Sequence, residues 1–363
     1  MPRETILTGD DSRITNSDAP PEETTRTLAR DVLGNDEDVA LRPKTMHEMV
    51  GQREVAERLR IAVDAATIRG ETLGHILLDG PPGLGKTTFA TCIPRELGVS
   101  LQIASGAALA APKDLLPYLT NAEQGSVLFI DEIHRLPKAV EEFMYPAMED
   151  FRIDITLGEG MNARTVNMSL RPFTIIGATT RTGLLSAPLR DRFQIREHLD
   201  FYTLDELVEI VLRNAQKLRT TIDSDAAQQI ARASRGTPRI ANTRLRWVRD
   251  YATSRGDGVV HDSVATAALA MLGVDQMGLD PQDRKYLETI MRVFHGGPVG
   301  VEAVAHTLNM APDTLTDEVE PFLLRAELLV RTPRGRKLTA KGYEHLGQTP
   351  PDEAPRVLGQ RSA

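Results

Sequence analysis

Between residue 41 and about residue 200, short continuous apolar runs alternate with stretches whose apolar residues recur at helical spacing. Ile76-Leu77-Leu78, Val127-Leu128-Phe129-Ile130 and Phe173-Thr174-Ile175-Ile176-Gly177-Ala178 are hydrophobic without interruption, as strands buried on both faces must be. The alternation predicts an α/β fold with a parallel sheet. Val140, Phe143, Met144, Ala147 and Met148 fall on one face of a helix, and Pro146 predicts a kink in it. From 152 to 170 the period drops to two: Ile153, Ile155 and Leu157, then Val166, Met168 and Leu170, alternate with polar residues around Gly158 and Gly160. That pattern predicts an inserted β-hairpin. Its apolar face has two equal readings, packing on its own domain or presentation to a partner.

Beyond Tyr202 the chain turns helical. Thr203-Leu204-Asp205-Glu206 has capping-box spacing, and Leu204, Leu207, Val208, Val211, Ala215 and Leu218 follow as one stripe. Gly236-Thr237-Pro238-Arg239 opens a further helix. From 276 to 347 the pattern predicts three helices, the third starting near Asp313, and then two short strands around Thr332-Pro333-Arg334-Gly335. Three helices and a basic hairpin make a winged helix. The expected organisation is a disordered acidic extension over 1–40, a large sheet domain over 41–202 and a small helical lid over 203–275. A winged-helix domain follows over 276–347, with a disordered tail over 348–363.

Chemistry enters directly after the first apolar run. Gly80-Pro81-Pro82-Gly83-Leu84-Gly85-Lys86-Thr87 fits G-x-x-x-x-G-K-[ST] between a strand and a helix-forming segment. Its glycines let backbone N–H groups face phosphate oxygens, Lys86 reaches the β and γ phosphates, and the Thr87 hydroxyl suits Mg²⁺. The second apolar run ends in Asp131-Glu132, expected on a neighbouring strand, where Asp131 is placed to hold the magnesium and Glu132 to polarise the attacking water. Together the two motifs imply a nucleotide hydrolase using ATP and Mg²⁺.

Composition changes this picture little: 363 residues, 41% hydrophobic and 26% charged, are ordinary globular values. The single cysteine, Cys92, excludes a disulfide framework and predicts a reducing, cytoplasmic setting. No apolar run reaches membrane-spanning length, and the N-terminus lacks a signal-peptide core, so no membrane partner is expected. The net charge of −8 is uneven, with −6 on residues 1–38. Two acid-free basic runs stand against it: Arg232, Arg235, Arg239, Arg244, Arg246 and Arg249, and Arg331, Arg334, Arg336, Lys337 and Lys341. Beside an ATPase they point to a polyanion. The third helix of the winged-helix module carries Asp313, Asp317, Glu318 and Glu320, so phosphates would repel it, and the wing is the expected backbone contact.

The residues Leu41-Arg42-Pro43-Lys44, the 80–88 loop through Thr88, Asp131-Glu132-Ile133-His134-Arg135 and Gly177-Ala178-Thr179-Thr180-Arg181 resemble one family. So do Pro188-Leu189-Arg190-Asp191-Arg192-Phe193, the 235–241 stretch, Gly296-Gly297-Pro298-Val299-Gly300 and the 331–336 run. The chain is similar, from about 41 to 347, to the RuvB family of AAA+ motors that drive branch migration of Holliday junctions. The resemblance implies a homo-hexameric ring on duplex arms of a four-way junction, with a RuvA-type partner docked on the hairpin at 152–170. It implies that Thr180 senses the γ-phosphate, that Arg192 is a finger inserted into the neighbouring subunit's site, and that Arg239 is a second sensor. Leu41, Arg42 and Tyr202 would line the nucleotide pocket together with Gly80, Gly83 and Gly85, and Glu149, Asp150 and Phe151 would reach it from the adjoining subunit. Arg331, Arg334 and Arg336 would contact DNA. The chain departs from the family pattern at Gln194 and Glu327, where glycine is usual, in Thr243-Arg244-Leu245-Arg246-Trp247, and in the segment from Ala104 to Ala111. None is a phosphate-handling residue. They bear on finger placement, lid packing and coupling, and predict a divergent copy that hydrolyses ATP but moves junctions poorly with an ordinary partner.

Two other classes compete with a translocase. One is a winged-helix switch whose ATPase gates assembly, against which the acidic third helix counts, since sequence reading needs base-edge contacts. The other is a clamp-loader-like remodeller, against which the wing and the hairpin count.

Overall fold

In a computed structural model, which describes residues 32–157 and 164–355, three packed units follow one another along the chain. The first begins with α1 (Asp36–Leu41), α2 (Arg53–Arg69), β1 (Ile76–Asp79), α3 (Lys86–Leu97), β2 (Leu101–Ser105) and α4 (Pro112–Thr120). It continues with β3 (Val127–Asp131), α5 (Lys138–Glu149), β4 (Arg152–Leu157), β5 (Arg164–Ser169), β6 (Thr174–Thr179), α6 (Ala187–Asp191) and β7 (Ile195–His198). The parallel sheet has the order β2-β3-β6-β1-β7. Thus β1 and β3, expected as neighbours, are separated by β6. The physical reason is burial: all six residues of β6 are buried, so it takes the centre, flanked by strands on both sides. This insertion brings the end of β6 between the two motif-bearing strand ends.

β4 and β5 form the antiparallel hairpin, with Ile153 opposite Met168 and Ile155 opposite Val166. Ile153 is fully buried in its own domain's core, while Val166 is exposed. The base of the apolar face packs inward and its distal end stays open; Gly158 and Gly160 lie outside the described residues. α5 runs unbroken through Pro146, where the sequence predicts a kink.

The lid comprises α7 (Leu204–Lys217), α8 (Ser224–Arg232), α9 (Pro238–Arg255) and α10 (Asp262–Met271). The capping box forms as its spacing requires: Glu206 N–H donates to Thr203 Oγ1 and Thr203 N–H to Glu206 Oε2. The winged helix comprises α11 (Pro281–Arg292), α12 (Val301–Leu308), an irregular third helix over 312–325 ending in α13 (Glu320–Arg325), β8 (Leu329–Thr332), β9 (Gly335–Leu338) and α14 (Ala340–His345). The third helix widens into a π turn over Leu315–Val319, because Pro321 has no N–H to return to the Asp317 carbonyl.

Both expected tails are shorter than the sequence implied. Asp36–Leu41 is helical with Asn35 as its cap, and Arg246 pairs with Asp38 at 2.6 Å. Residues 348–355 pack on the winged helix: Ala354 is buried, Pro355 O accepts from Ala340 N–H, and Glu353 O accepts from Lys337 Nζ. The expected disorder of 1–31 and 356–363 falls outside the described residues.

Candidate functional site

The C-terminal ends of β1, β6 and β3 lie side by side and carry the phosphate loop, Thr180 and Asp131 respectively. Open α/β sheets bind ligands at this edge. Gly80 has φ 132° and Gly83 φ 79°. A Cβ on Gly80 would lie 2.3 Å from Leu199 O, and one on Gly83 would lie 2.8 Å from side-chain atoms of Arg239 and Thr237, so neither position accepts a side chain. The loop is therefore pressed between the sheet and the lid, with Arg239 N–H directed at Gly83 O at 3.4 Å. Two helix N-termini, those of α3 and α9, meet at this loop. Both favour an anion.

Lys86 is buried, and its Nζ donates to Gly80 O at 2.6 Å and Pro81 O at 2.8 Å. Burial brings its pKa down to about 8, opposed by the charges of Asp131, Asp79 and Asp317. The Asp131 carboxyl is pushed up by burial, against a hydrogen bond from Glu132 N–H and the charge of Lys86. Glu132 sits at φ 48°, a left-handed conformation that costs energy for a side-chain-bearing residue, and its carboxylate pairs with Arg135 at 2.9 Å. Thr179 Oγ1 meets His134 Nδ1 at 3.0 Å and accepts from Arg181 N–H at 2.9 Å; Thr180 follows at the strand end.

Arg42 completes the cationic lining. Burial lowers its pKa, with Asp38 and Asp131 acting against that and Arg239 adding to it. Its Nη1 is buried without a partner. An orphaned guanidinium nitrogen that shares this space with the charge of Arg239 fits an anionic ligand. Leu41 is buried, its carbonyl accepting from Lys217 Nζ, and the Tyr202 hydroxyl donates to Leu84 O behind the loop at 3.2 Å. Gly85, Thr87 and Thr88 belong to the loop and the first turn of α3.

A second group lies apart from the loop. Arg192, at the C-terminal end of α6, ion-pairs with Glu149 at 3.0 Å, donates to Pro188 O and stacks on Tyr145 with 4.0 Å between its Cζ and the ring centroid. Asp150 pairs with Arg152. The Phe151 ring packs inward with His75 and Phe173. Arg192 and Glu149, which the resemblance sends from the same subunit into a neighbour's site, touch each other within one chain.

Much of the basic charge is already spoken for. Arg235 pairs with Asp280 and Asp283, Arg244 donates to Gly278 O and Arg246 pairs with Asp38. Within the wing, Arg331 and Arg336 both bind Glu320, which is fully buried and also accepts from Tyr286 Oη. Arg334, at the tip, is exposed and makes no ion pair among the described residues. Sequence reading missed a contact across domains: Arg181 pairs with Asp313 at 2.8 Å and with Asp317 at 2.8 Å. The acid cluster on a helix unfit for DNA was the available signal, but its partner lies over a hundred residues upstream.

Among the described residues no cluster of three or more His, Cys, Asp or Glu could hold a metal alone. That suits Mg²⁺, which takes one or two protein oxygens and completes its shell with water and phosphate. Thr87 and Asp131 supply hard oxygens of that kind.

Three family models match the chain consecutively: the Holliday junction DNA helicase RuvB P-loop domain over 41–199, the RuvB AAA lid domain over 202–275 and the RuvB C-terminal winged helix domain over 276–347. A Holliday junction branch migration complex subunit RuvB from Rhodopirellula baltica is 67% identical over 317 residues, 87% of each chain. A solved structure of the Thermotoga maritima RuvB Holliday junction branch migration motor superposes with a TM-score of 0.79 at 47% identity, covering 86% of this chain and 100% of that one.

Proposed function

The chain belongs to the RuvB family, and on that premise we propose how its residues divide the work of an ATP-driven Holliday-junction branch-migration motor. The observation that carries the reading is the convergence at one sheet edge of the phosphate loop, Asp131 and Thr180, closed over by Arg239 from the lid.

ATP is held by the loop amides of residues 80–85, by Lys86 and by the start of α3, with Thr88 in the same turn. Arg42 and Arg239 add positive charge, and Leu41 and Tyr202 line the pocket. Thr87 and Asp131 hold Mg²⁺, which supplies charge neutralisation at the phosphate oxygens. Glu132 orients the attacking water, and its pairing with Arg135 fixes the position of the carboxylate. Thr180, between the two motifs, senses the γ-phosphate.

Hydrolysis is completed between subunits. Arg192 serves the neighbouring site, and in the isolated subunit Glu149 holds it. Such fingers contribute ~10³ to 10⁵ in rate, so assembly and activity become one property. A head-to-tail contact of this kind closes into a ring, here a homo-hexamer. Arg334 leads the wing onto the phosphate backbone of duplex or four-way-junction DNA, flanked by Arg331 and Arg336, and the distal hairpin around Val166 docks a RuvA-type partner. No helix among the described residues is long and apolar enough to cross a membrane, and the lone free Cys92 fits a cytoplasmic motor.

The deciding experiment is ATP-dependent dissociation of a synthetic four-way junction by the purified protein, with and without a RuvA-type partner, using Glu132→Gln as the inactive control. Partner-stimulated dissociation is expected. ATP hydrolysis without junction movement would shift the reading to a divergent copy or a DNA-bound assembly switch.

A further inference from the structure

The third helix of the winged-helix domain carries acids where a DNA-reading helix needs bases, and two of those acids leave their own domain. Asp313 and Asp317, four residues apart, face the same way and grip one guanidinium. Asp317 accepts from Arg181 Nε through both carboxylate oxygens, at 2.8 and 3.0 Å, and Asp313 lies 2.8 Å from Arg181 Nη2. The Arg181 and Asp317 side chains are only 22% and 26% exposed, so water screens the pair weakly. Arg181 holds its charge far above ordinary arginine through these same bonds.

Both ends of the contact lead onward. On one side, Arg181 N–H binds the buried Thr179 hydroxyl, which meets His134 in the turn that directly follows Glu132. Asp317 lies near enough to influence the charge states of both His134 and Lys86. On the other side, three residues past Asp317, the buried Glu320 gathers Arg331 and Arg336 from the two wing strands and the hydroxyl of Tyr286. A single helix thus joins the wing to Arg181 by ion pairs, and Arg181 joins the hydrolytic edge of the sheet through the hydrogen bonds of Thr179. Nearby contacts keep the domains in register: Arg325 stacks on Phe201 with 4.7 Å to the ring centroid, and Arg235 pairs with Asp280 and Asp283.

We propose that Arg181 is a positioning residue for hydrolysis, held by Asp313 and Asp317 of the winged helix, through which DNA engagement at the wing sets the Thr179–His134–Glu132 segment. The physical basis is a contiguous polar network with few slack links, in which moving the helix must move Arg181 and with it the Thr179 bond. The inference rests on Glu132 as the water-orienting carboxylate.

The test uses the full chain with duplex DNA and measures kcat and KM for ATP with and without DNA, DNA affinity by anisotropy, and Tm. In the Asp313→Asn, Asp317→Asn double variant, the ratio of kcat with DNA to kcat without it should fall by about tenfold, within the usual range of coupling between sites. KM for ATP, DNA affinity and Tm should stay close to wild type. The charge swap Arg181→Asp with Asp317→Arg should recover part of the ratio that either single change loses. A DNA-to-basal ratio unchanged in the double variant would overturn the proposal. So would a fall in the ratio matched by a fall in DNA affinity or Tm and not rescued by the swap, which would make the contact merely structural. Glu132→Gln separates this from failure of the site assignment: if that variant still hydrolyses ATP, the assignment of Glu132 is wrong, whatever the coupling does.

Discussion

At the phosphate loop, burial has weakened the proton affinity of Lys86 to about 8, and a bound polyphosphate must restore it. The sign follows from linkage. Below that value the lysine is charged in both free and bound protein, and above it binding must take up a proton, so affinity falls. ATP affinity should be flat from pH 6.5 to 7.5 and weaken by up to about tenfold by pH 9. Titration calorimetry in two buffers of different ionisation heat would also register the proton uptake, and a flat profile to pH 9 without proton uptake would show that burial does not lower the pKa of the ammonium this far. Glu327 is a residue-scale departure with a clear cost. It occupies the left-handed position after α13, at φ 59°, in a turn where Leu328 N–H returns to Leu323 O and its own N–H to Leu324 O. Glycine needs no strain there, so Glu327→Gly should raise stability by roughly 1 kcal/mol, read as a higher urea midpoint with unchanged slope. Gln194 is better accommodated: its Oε1 accepts from His75 N–H at 2.6 Å at the entrance to β1.

Among the elements, α9 and the third helix of the winged helix show how far a charge run can mislead. The arginines around α9 read as a polyanion surface, yet most are bound by acids or carbonyls of their own chain. Trp247, another departure, donates its indole N–H to Ala268 O and so ties α9 to α10. Among the described residues, Arg334 at the tip of the wing makes no ion pair. Arg334→Ala should weaken duplex binding to a similar degree for all sequences and lower the slope of log affinity against log salt by about 1. A loss confined to particular sequences would contradict backbone contact. The fold of these elements was legible because capping residues and apolar period act locally. The fate of each arginine was not, because its partner is set by packing across domains.

For the whole molecule, Arg192 and the phosphate loop lie in separate groups of contacts, so under the proposed role of Arg192 each subunit alone would hold an incomplete site. Lys86→Ala and Arg192→Ala proteins should each hydrolyse ATP at a small fraction of the wild-type rate, by ~10³ or more for the finger. Mixed together they should recover measurable turnover, because some interfaces then join an intact loop to an intact finger. No recovery on mixing would place Arg192 in its own subunit's site. Breaking the Arg192–Glu149 pair by Glu149→Gln should leave the finger in place but ease its transfer to a neighbour, visible as faster onset of hydrolysis when dilute subunits are concentrated in the presence of ATP.

The amino-acid sequence by itself determined the sheet domain, the capped lid helices, the wing, and the loop and strand-end acids. These depend on local period, backbone freedom at glycine and the chemistry of one short segment. Only the tertiary structure decided that β6 divides the two motif strands, because strand order follows from which run is buried most completely. It also decided that Arg331 and Arg336 answer to Glu320, that Arg192 rests on Tyr145 and Glu149, and that two acids of the third helix close on Arg181. Charges act through space with little regard to separation along the chain, so their pairing is written only in the packed molecule.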